Sequence, residues 1–304
     1  MTRNRILVDW IQYTYKQDQA PEEALAFIKL DFKDFTLLSK GALGYKKQAI
    51  FSGIKIFWDG TAGMGTHIQI PGKACRYLES QGLDLFKLVP DLASLEKIQL
   101  TRLDLALDIE ADPISRLVAS IDKGLYISKA RNIKYITSKQ NKGLKVETIY
   151  IGSRQSVVML RIYDKALEQK TEDGKPWTRI ECEIKKDYIP MVASQLSNNV
   201  NLTVKNLIWT YFRPLEKKEK NISRSPVAKY WLEILGECER IKHFSDPRAP
   251  TIGDKKEWFL EQCAKTYALL WEEYGPKIEK DILAEGRKKI KEKDLNLLSK
   301  FKEM

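Results

Sequence analysis

Cysteine and histidine are scarce in this chain. Four cysteines are scattered over 304 residues, at Cys75, Cys182, Cys238 and Cys263, with no CxxC and no pair at metal-ligand spacing. That spacing excludes a zinc ribbon or a disulfide framework and fits reduced thiols in a cytosolic protein. The two histidines, His67 and His243, are too far apart to form a His-hydrophobe-His pair. No apolar run reaches the roughly 18 residues of a membrane span. Met1–Val8 lacks the layout of a signal peptide. The expectation is a soluble, cytoplasmic protein with no membrane partner. There is no GxxxxGK[ST] loop, hence no P-loop motor, and no recognisable helix-turn-helix signature. Internal repeats and low-complexity tracts are absent as well.

Positive charge is abundant. Lysine and arginine number 52 against 41 acids, for a net charge of +11 and a pI near 9.2. With 43% hydrophobic and 31% charged residues the composition is globular, and the length allows one or two domains. The charge points to a polyanionic partner, nucleic acid first and an anionic membrane surface second. A solvated basic surface is the third reading.

Patterning gives an α+β organisation. Residues 1–200 read as a β-rich domain with antiparallel strands, and 201–304 as a helical region. Strands are expected over Ile6–Tyr15, Gln48–Trp58 and Met64–Ile70, the last two forming a hairpin about the turn Asp59–Gly63. Further strands fall at Ile98–Glu110, Lys134–Thr137, Val146–Ile151, Val157–Ile162 and Trp177–Lys185. Helices are expected over Pro21–Ile28, Ala74–Gln81, Pro113–Lys123 and Val200–Phe212, with a charged linker at Glu216–Ser225. Tyr230, Trp231, Ile234, Leu235, Cys238 and Ile241 recur at helical spacing, as do Trp258, Phe259, Cys263, Tyr267, Leu270, Trp271 and Tyr274. Both sets read as core stripes. Pro276 opens a last helix whose basic tail, Arg287–Lys302, suits phosphates, a partner or solvent.

Three strands carry the chemistry. In Ile98–Glu110, Leu103, Leu105, Leu107 and Ile109 share one face. Arg102, Asp104, Ala106, Asp108 and Glu110 share the other. Like charges at two-residue spacing repel, and a divalent cation or cationic neighbours would relieve them; the oxygen donors suit Mg²⁺ or Mn²⁺. A solvated edge face is the alternative. In the strand that follows the Gly152–Ser156 turn, Arg161, Tyr163 and Lys165 share a face. A tyrosine between two cations can attack a phosphate, since they hold its oxygens and favour the phenolate. The plainer reading is a half-exposed strand tyrosine. Arg179, Glu181 and Glu183 line up on the third strand. Lys142 and Lys145 of the basic loop Ser138–Lys145, with Arg154 in the turn, are candidate DNA-binding residues. His67, in the strand sequence His67-Ile68-Gln69, is an outlying metal candidate.

Four segments in this order, VDWIQYTY, LTRLDLALDIE, TIYIGSRQSVVMLRIYDKALE and RIECEIK, resemble the Rep-trans family of rolling-circle replication initiators and the related relaxases of integrative conjugative elements. The GSR turn followed by the IYDK tyrosine is the most specific part. The resemblance implies a metal-dependent, topoisomerase-like nickase of a bacterial plasmid. Such an enzyme acts at a double-strand origin with a hairpin nick site, forms a 5′-phosphotyrosyl link and leaves a 3′-OH primer. It places the nucleophile on Tyr163; the residues themselves offer Arg161, Lys165 or Arg179 as clamps for the non-bridging oxygens. The metal falls on Asp104, Asp108 and Glu181. It further implies a host helicase and a homodimer. Conjugative transfer by the same chemistry is an alternative, and the short run before Ile6 favours replication over it. A non-catalytic DNA-binding protein is the alternative of another class.

Overall fold

The computed structural model describes residues 5–140, 143–171, 174–236, 252–290 and 295. In chain order the first part runs β1 (Arg5–Tyr15), α1 (Pro21–Ala26), β2 (Thr36–Leu37), β3 (Lys47–Phe51), β4 (Ile54–Trp58), β5 (Thr66–Pro71), α2 (Gly72–Ser80), α3 (Leu85–Ser94), β6 (Ile98–Ile109) and α4 (Ile114–Asp122). There follow β7 (Tyr126–Ser128), β8 (Ile133–Gln140), β9 (Gly143–Ile151), β10 (Val158–Asp164), α5 (Lys165–Gln169) and β11 (Thr178–Lys185). Then come α6 (Tyr188–Asn198), α7 (Val200–Tyr211), β12 (Phe212–Pro214) and α8 (Lys229–Leu235). The last helices are α9 (Ile252–Gln262), α10 (Ala264–Tyr274) and α11 (Pro276–Lys289).

Ten strands form one sheet in the order β2-β3-β4-β5-β1-β6-β11-β10-β9-β8, and β12 pairs with β7 in a second, two-stranded sheet. Every pairing is antiparallel. The fold is α+β, as the alternating strands and interleaved helices predict.

The period-two alternation of β6, β10 and β11 puts one face of each strand into the core. Leu103, Leu105, Leu107, Leu160, Ile162, Ile180, Cys182 and Ile184 are buried there. α6 packs on β6 and β11, α3 on β6, and α7 on β1, β6, β10 and β11. Their buried Leu88, Val89, Leu92, Ile189, Val192, Leu196, Val204, Leu207 and Ile208 close this layer. Each such aliphatic side chain contributes about 1.5–3 kcal/mol by leaving water. The opposite face of the same strands carries the charged residues.

The chain divides into two units, Met1–Ile241 and Lys242–Met304. The division expected after residue 200 falls inside the first unit, at the start of α7. The charged stretch expected as a linker, Glu216–Ser225, is a loop of that unit, closed at its base by a Leu215–Val227 bridge. Trp231 of α8 is fully buried, edge-on to Phe212 with ring centroids 6.2 Å apart. Its helical stripe is a core stripe as expected, although Cys238 and Ile241 lie outside the described residues. The second stripe is not. Phe259, Trp271 and Tyr274 are exposed, and neither α10 nor α11 has a buried residue among those described. The three helices are short and successive. The basic tail is described only as far as Ile290, and at Leu295.

Two expected strands differ in detail. Gln48–Trp58 is not one strand but two, β3 and β4, joined by a tight turn at Ser52-Gly53. Both residues have positive φ, 47° and 85°, the conformation that two-residue hairpin turns require. The apolar residues on either side mask that turn in the sequence. The basic loop expected over Ser138–Lys145 is mostly hairpin, since β8 runs to Gln140 and β9 starts at Gly143.

The approach to β5 depends on a glycine. Gly63 and Gly65 both donate backbone N–H to the Asp18 carboxylate, at 2.8 and 2.7 Å. Both have positive φ. A Cβ at Gly65 would sit 2.3 Å from the Tyr15 carbonyl oxygen, whereas one at Gly63 would meet nothing within 4 Å. Gly63→Ala should therefore cost only the left-handed conformation, about 1–2 kcal/mol. Gly65→Ala should cost about 3 kcal/mol or more, because β1 and β5 must also part. Thermal melts of the two variants measure the difference, and equal melting temperatures would contradict this account.

Candidate active site

The site is a set of rows across the charged face of the sheet, because residues directly opposite on antiparallel strands share a face. One row reads Tyr163 (β10), Arg179 (β11), Asp108 (β6), Arg5 (β1). The next reads Tyr150 (β9), Arg161, Glu181, Ala106. The third reads Met159, Glu183, Asp104, Trp10, and the fourth brings Lys185, Arg102 and Gln12 together. A bulge in β1 between Val8 and Trp10 leaves Asp9 as the extra residue, and such bulges re-aim side chains. Asp9 reaches Arg179.

Arg179 anchors the first row. Its Nε and Nη2 donate to the two oxygens of Asp108 at 2.6 and 2.9 Å, and its Nη1 lies 2.8 Å from Asp9 Oδ1. Arg5 meets Asp108 from the other side at 3.2 Å. The Asp108 and Arg179 side chains are 0% and 4% exposed. Charges this far from water hold only when paired and hydrogen-bonded. The solvated edge face considered from the sequence is thereby corrected: β6 lies in the middle of the sheet, and cationic neighbours relieve its carboxylates.

Arg161 Nη2 donates to both Glu181 oxygens at 2.7 Å, and its guanidinium lies over the Tyr163 ring at 4.9 Å. The Tyr163 hydroxyl donates to Glu181 Oε2 at 3.3 Å. Lys165 Nζ lies 3.5 Å from the same hydroxyl and also pairs with Glu168. Lys165 is no longer a strand residue. Asp164 caps α5 by accepting from Leu167 N at 2.9 Å, so the chain turns helical at Lys165. The buried Tyr163 is thus flanked by two cations and has one carboxylate as its proton acceptor.

The expectation that these cations favour the phenolate does not hold for the folded site. Burial, and next the Glu181 carboxylate, push the Tyr163 phenol well above its ordinary value; Arg179 and Arg161 pull down without prevailing. Burial likewise pushes the Asp104 carboxyl up to about 7, against two hydrogen bonds from Arg102. Arg102 also reaches Glu183 at 3.0 Å, and Lys185 does so at 2.7 Å.

The structure brings together Tyr163, Arg161, Lys165, Arg179, Asp104, Asp108 and Glu181. It does not bring His67 to them. His67 is opposite Thr14 on β1, while Asp104 is in the row of Trp10 and Pro71. Four residues of β5 separate the two rows, about 13 Å along the strand. The His67 ring accepts or donates at Thr14 Oγ1, 2.9 Å away, and packs beside Tyr45 and Phe57. Among the described residues no three His, Cys, Asp or Glu side chains form a group that could hold a metal ion. Asp104, Asp108 and Glu181 are each engaged by a guanidinium instead. Arg154 sits in the turn between β9 and β10. Lys142 lies outside the described residues; Lys145 is in β9, its side chain outside them. Asp9, Arg5 and Glu168 were not singled out from the sequence. The bulge that delivers Asp9 shows in the sequence only as the adjacent apolar pair Trp10-Ile11, which breaks the alternation without saying which residue is the extra one.

The comparisons with known proteins cover the strands of this site. A family model described as a replication initiation factor matches residues 98–285. A second, for the N-terminal domain of rolling-circle replication initiation proteins, matches residues 5–87. A Bacillus subtilis (strain 168) protein named as a DNA relaxase, NicK, is 26% identical over 288 residues, covering 88% of this chain and 80% of that protein. The structure of a rolling-circle replication initiator protein from Geobacillus stearothermophilus superposes with a TM-score of 0.69 at 26% identity, over 76% of this chain and 95% of that one.

Two outcomes follow from the buried groups. Asp108→Ala should destabilise the protein by about 3–5 kcal/mol, since it leaves Arg179 short of its bidentate partner. Lys217→Ala, which removes an exposed pair with Glu219, should leave the melt unchanged. Burial also lowers His67 to about 4. A base whose folded pKa lies below its unfolded value, near 6.5, resists protonation only when folded. Its neutral form therefore stabilises the fold fully above pH 6.5, and up to about 3 kcal/mol is lost as pH falls towards 4. Melts of the parent and His67→Gln across that window test the sign: the parent should lose more stability than the variant.

Proposed function

Because this chain belongs to the replication initiation factor family, we propose that it starts rolling-circle replication by nicking one strand of a double-strand origin, with Tyr163 as nucleophile. The observation that carries the reading is the hydrogen bond from the buried Tyr163 hydroxyl to Glu181, in a site where Arg161 and Lys165 flank the same ring. With the phenol's pKa raised, no phenolate waits in the site. The proton has to leave as the bond forms, and Glu181 is the base within reach. Tyr163 Oη bonds to phosphorus and the bond from phosphorus to O3′ breaks. The leaving oxygen takes up a proton to become the 3′-OH primer, and the 5′ end stays on the tyrosine. Arg161 and Lys165 are the cations for the non-bridging oxygens. The covalent link conserves the phosphodiester energy, so rejoining needs no ATP.

The proposal includes a divalent cation, Mg²⁺ or Mn²⁺, carried over from the family resemblance. It would supply charge neutralisation at the phosphate. As folded, Asp104, Asp108 and Glu181 are taken up by arginines, and the steps above use the chain's own residues only. A host helicase, a second copy of this chain, a hairpin nick site and the bacterial cytoplasm complete the reading. The B. subtilis relative named as a relaxase favours a second reading, the same chemistry used in conjugative transfer. Among the described residues no helix is long and apolar enough to cross a membrane.

The test is a denaturing gel of supercoiled origin DNA with purified protein. Tyr163→Phe should abolish the covalent species while leaving DNA affinity almost intact, and a chelator should suppress it. Glu181→Gln should slow its formation on the order of 100-fold. A DNA-binding protein without catalysis would give no covalent species from the parent chain.

A further inference from the structure

A cleft of about 530 Å³ opens on the charged face, beside the tyrosine. Arg161 joins the two, since it lines the cleft and also lies over the Tyr163 ring. Arg102 and Lys185 face the cleft as well, but Asp104 and Glu183 already engage them. Three polar groups on its walls are not engaged. Among the described residues the Gln12 amide, the Tyr150 hydroxyl and the Arg154 guanidinium have no hydrogen-bond or ion-pair partner. Arg154 is therefore the surplus cation of the cleft. Its backbone carbonyl accepts from Lys185, which ties the turn to β11. Two buried atoms on the lining are orphaned too: Thr101 Oγ1 and Arg161 Nε. Thr101 is the extra residue of a second bulge, where Gln12 and Tyr13 pair with Arg102 and Leu100.

Buried hydrogen-bonding atoms left unpaired beside a cavity, here Thr101 Oγ1 and Arg161 Nε, signal a ligand. The volume is that of a small-molecule pocket, far too small for a duplex, whose major groove alone is about 12 Å wide. An aromatic ring beside a cation is how proteins take single-stranded nucleic acid, the base against the ring and the backbone along the charge. A glutamine amide presents a donor and an acceptor side by side, the complement of adenine N6 and N7. We propose that this cleft holds one unpaired nucleotide of the strand that Tyr163 attacks. Its base lies against Tyr150 with its edge on Gln12, and its phosphate is held by Arg154. The subsite rests on the nicking reading and adds a base preference to it: adenine is favoured next to the scissile phosphate.

The experiment uses the full chain carrying Tyr163→Phe, so that binding is read without turnover. The probes are fluorescent single strands of oligo-dA, oligo-dC, oligo-dG and oligo-dT, an abasic strand of the same length, and the dA·dT duplex. Oligo-dA should bind about tenfold more tightly than the abasic strand. Tyr150→Leu should erase that difference and Tyr150→Phe should keep it. Arg154→Ala should weaken all the single strands alike, the abasic one included. Gln12→Leu should remove the preference for oligo-dA over the other three. Coincident thermal melts establish that the variants are folded. If the gap between oligo-dA and the abasic strand persists in Tyr150→Leu, or if the duplex binds more tightly than oligo-dA, the cleft does not hold a base and the proposal is overturned. Adduct formation is read on a separate gel with the Tyr163 chain. Failure of the nicking reading and failure of this subsite are thereby distinguished.

Discussion

A guanidinium removed from water must find carboxylates in the plane of its nitrogens, and Arg179 finds two of them. Asp108 takes a pair of its donors and Asp9 a third. This arrangement ties β11, β6 and β1 together on the face opposite the layer of α3, α6 and α7. It works only in one register. A slip of β6 by one residue would bury Leu107 where Asp108 stands, and would turn the carboxylates into the apolar layer. The ion pairs are therefore worth more as a specification of register than as net stabilisation, since desolvation offsets much of their Coulomb attraction.

The proposed reactive centre is one strand further along the same lattice. Tyr163 is opposite Arg179, and Glu181 is the next residue of β11 on that face. The rigidity that fixes the register also fixes the tyrosine hydroxyl on its base. Burial makes that hydroxyl a weak acid, and in the proposed reaction the proton moves to Glu181 as a phosphate arrives between the cations. A preorganised set of charges of this kind needs no rearrangement at the moment of reaction. The neighbouring cleft differs in character. Its unengaged groups are polar, with Gln12 and Tyr150 half-buried and Arg154 exposed.

Much of this was legible in the sequence, and the limits have physical causes. The alternation in LTRLDLALDIE fixes which residues of β6 share a face, because strands repeat every two residues. The same holds for RIYDK and RIECEIK, and so Asp104, Asp108, Tyr163, Arg161 and Glu181 could be named in advance. Strand order could not be read from it: nothing in the alternation says that β6 sits between β1 and β11. Hence the pairing of Arg179 with Asp108, and the burial of both, went unseen. Each bulge shifts the apolar phase, as from Ile98 and Leu100 to Leu103 and Leu105 in β6, but the break does not say which residue is the extra one, so the placing of Asp9 and Thr101 went unread. The Ser52-Gly53 turn hid inside a continuous apolar run. His67 shares the sheet with the carboxylates but not their rows, a distinction that needs the register of β5 against β1.

The account turns on a single oxygen, Tyr163 Oη. The most direct measurement is mass spectrometry of the peptide that retains a nucleotide after origin DNA and protein have reacted and both have been digested. The account predicts a phosphonucleotide on the peptide containing Tyr163, fragmenting at that residue. A modification on Tyr150 or on any other tyrosine would contradict it, and would transfer the nucleophile's role to that residue.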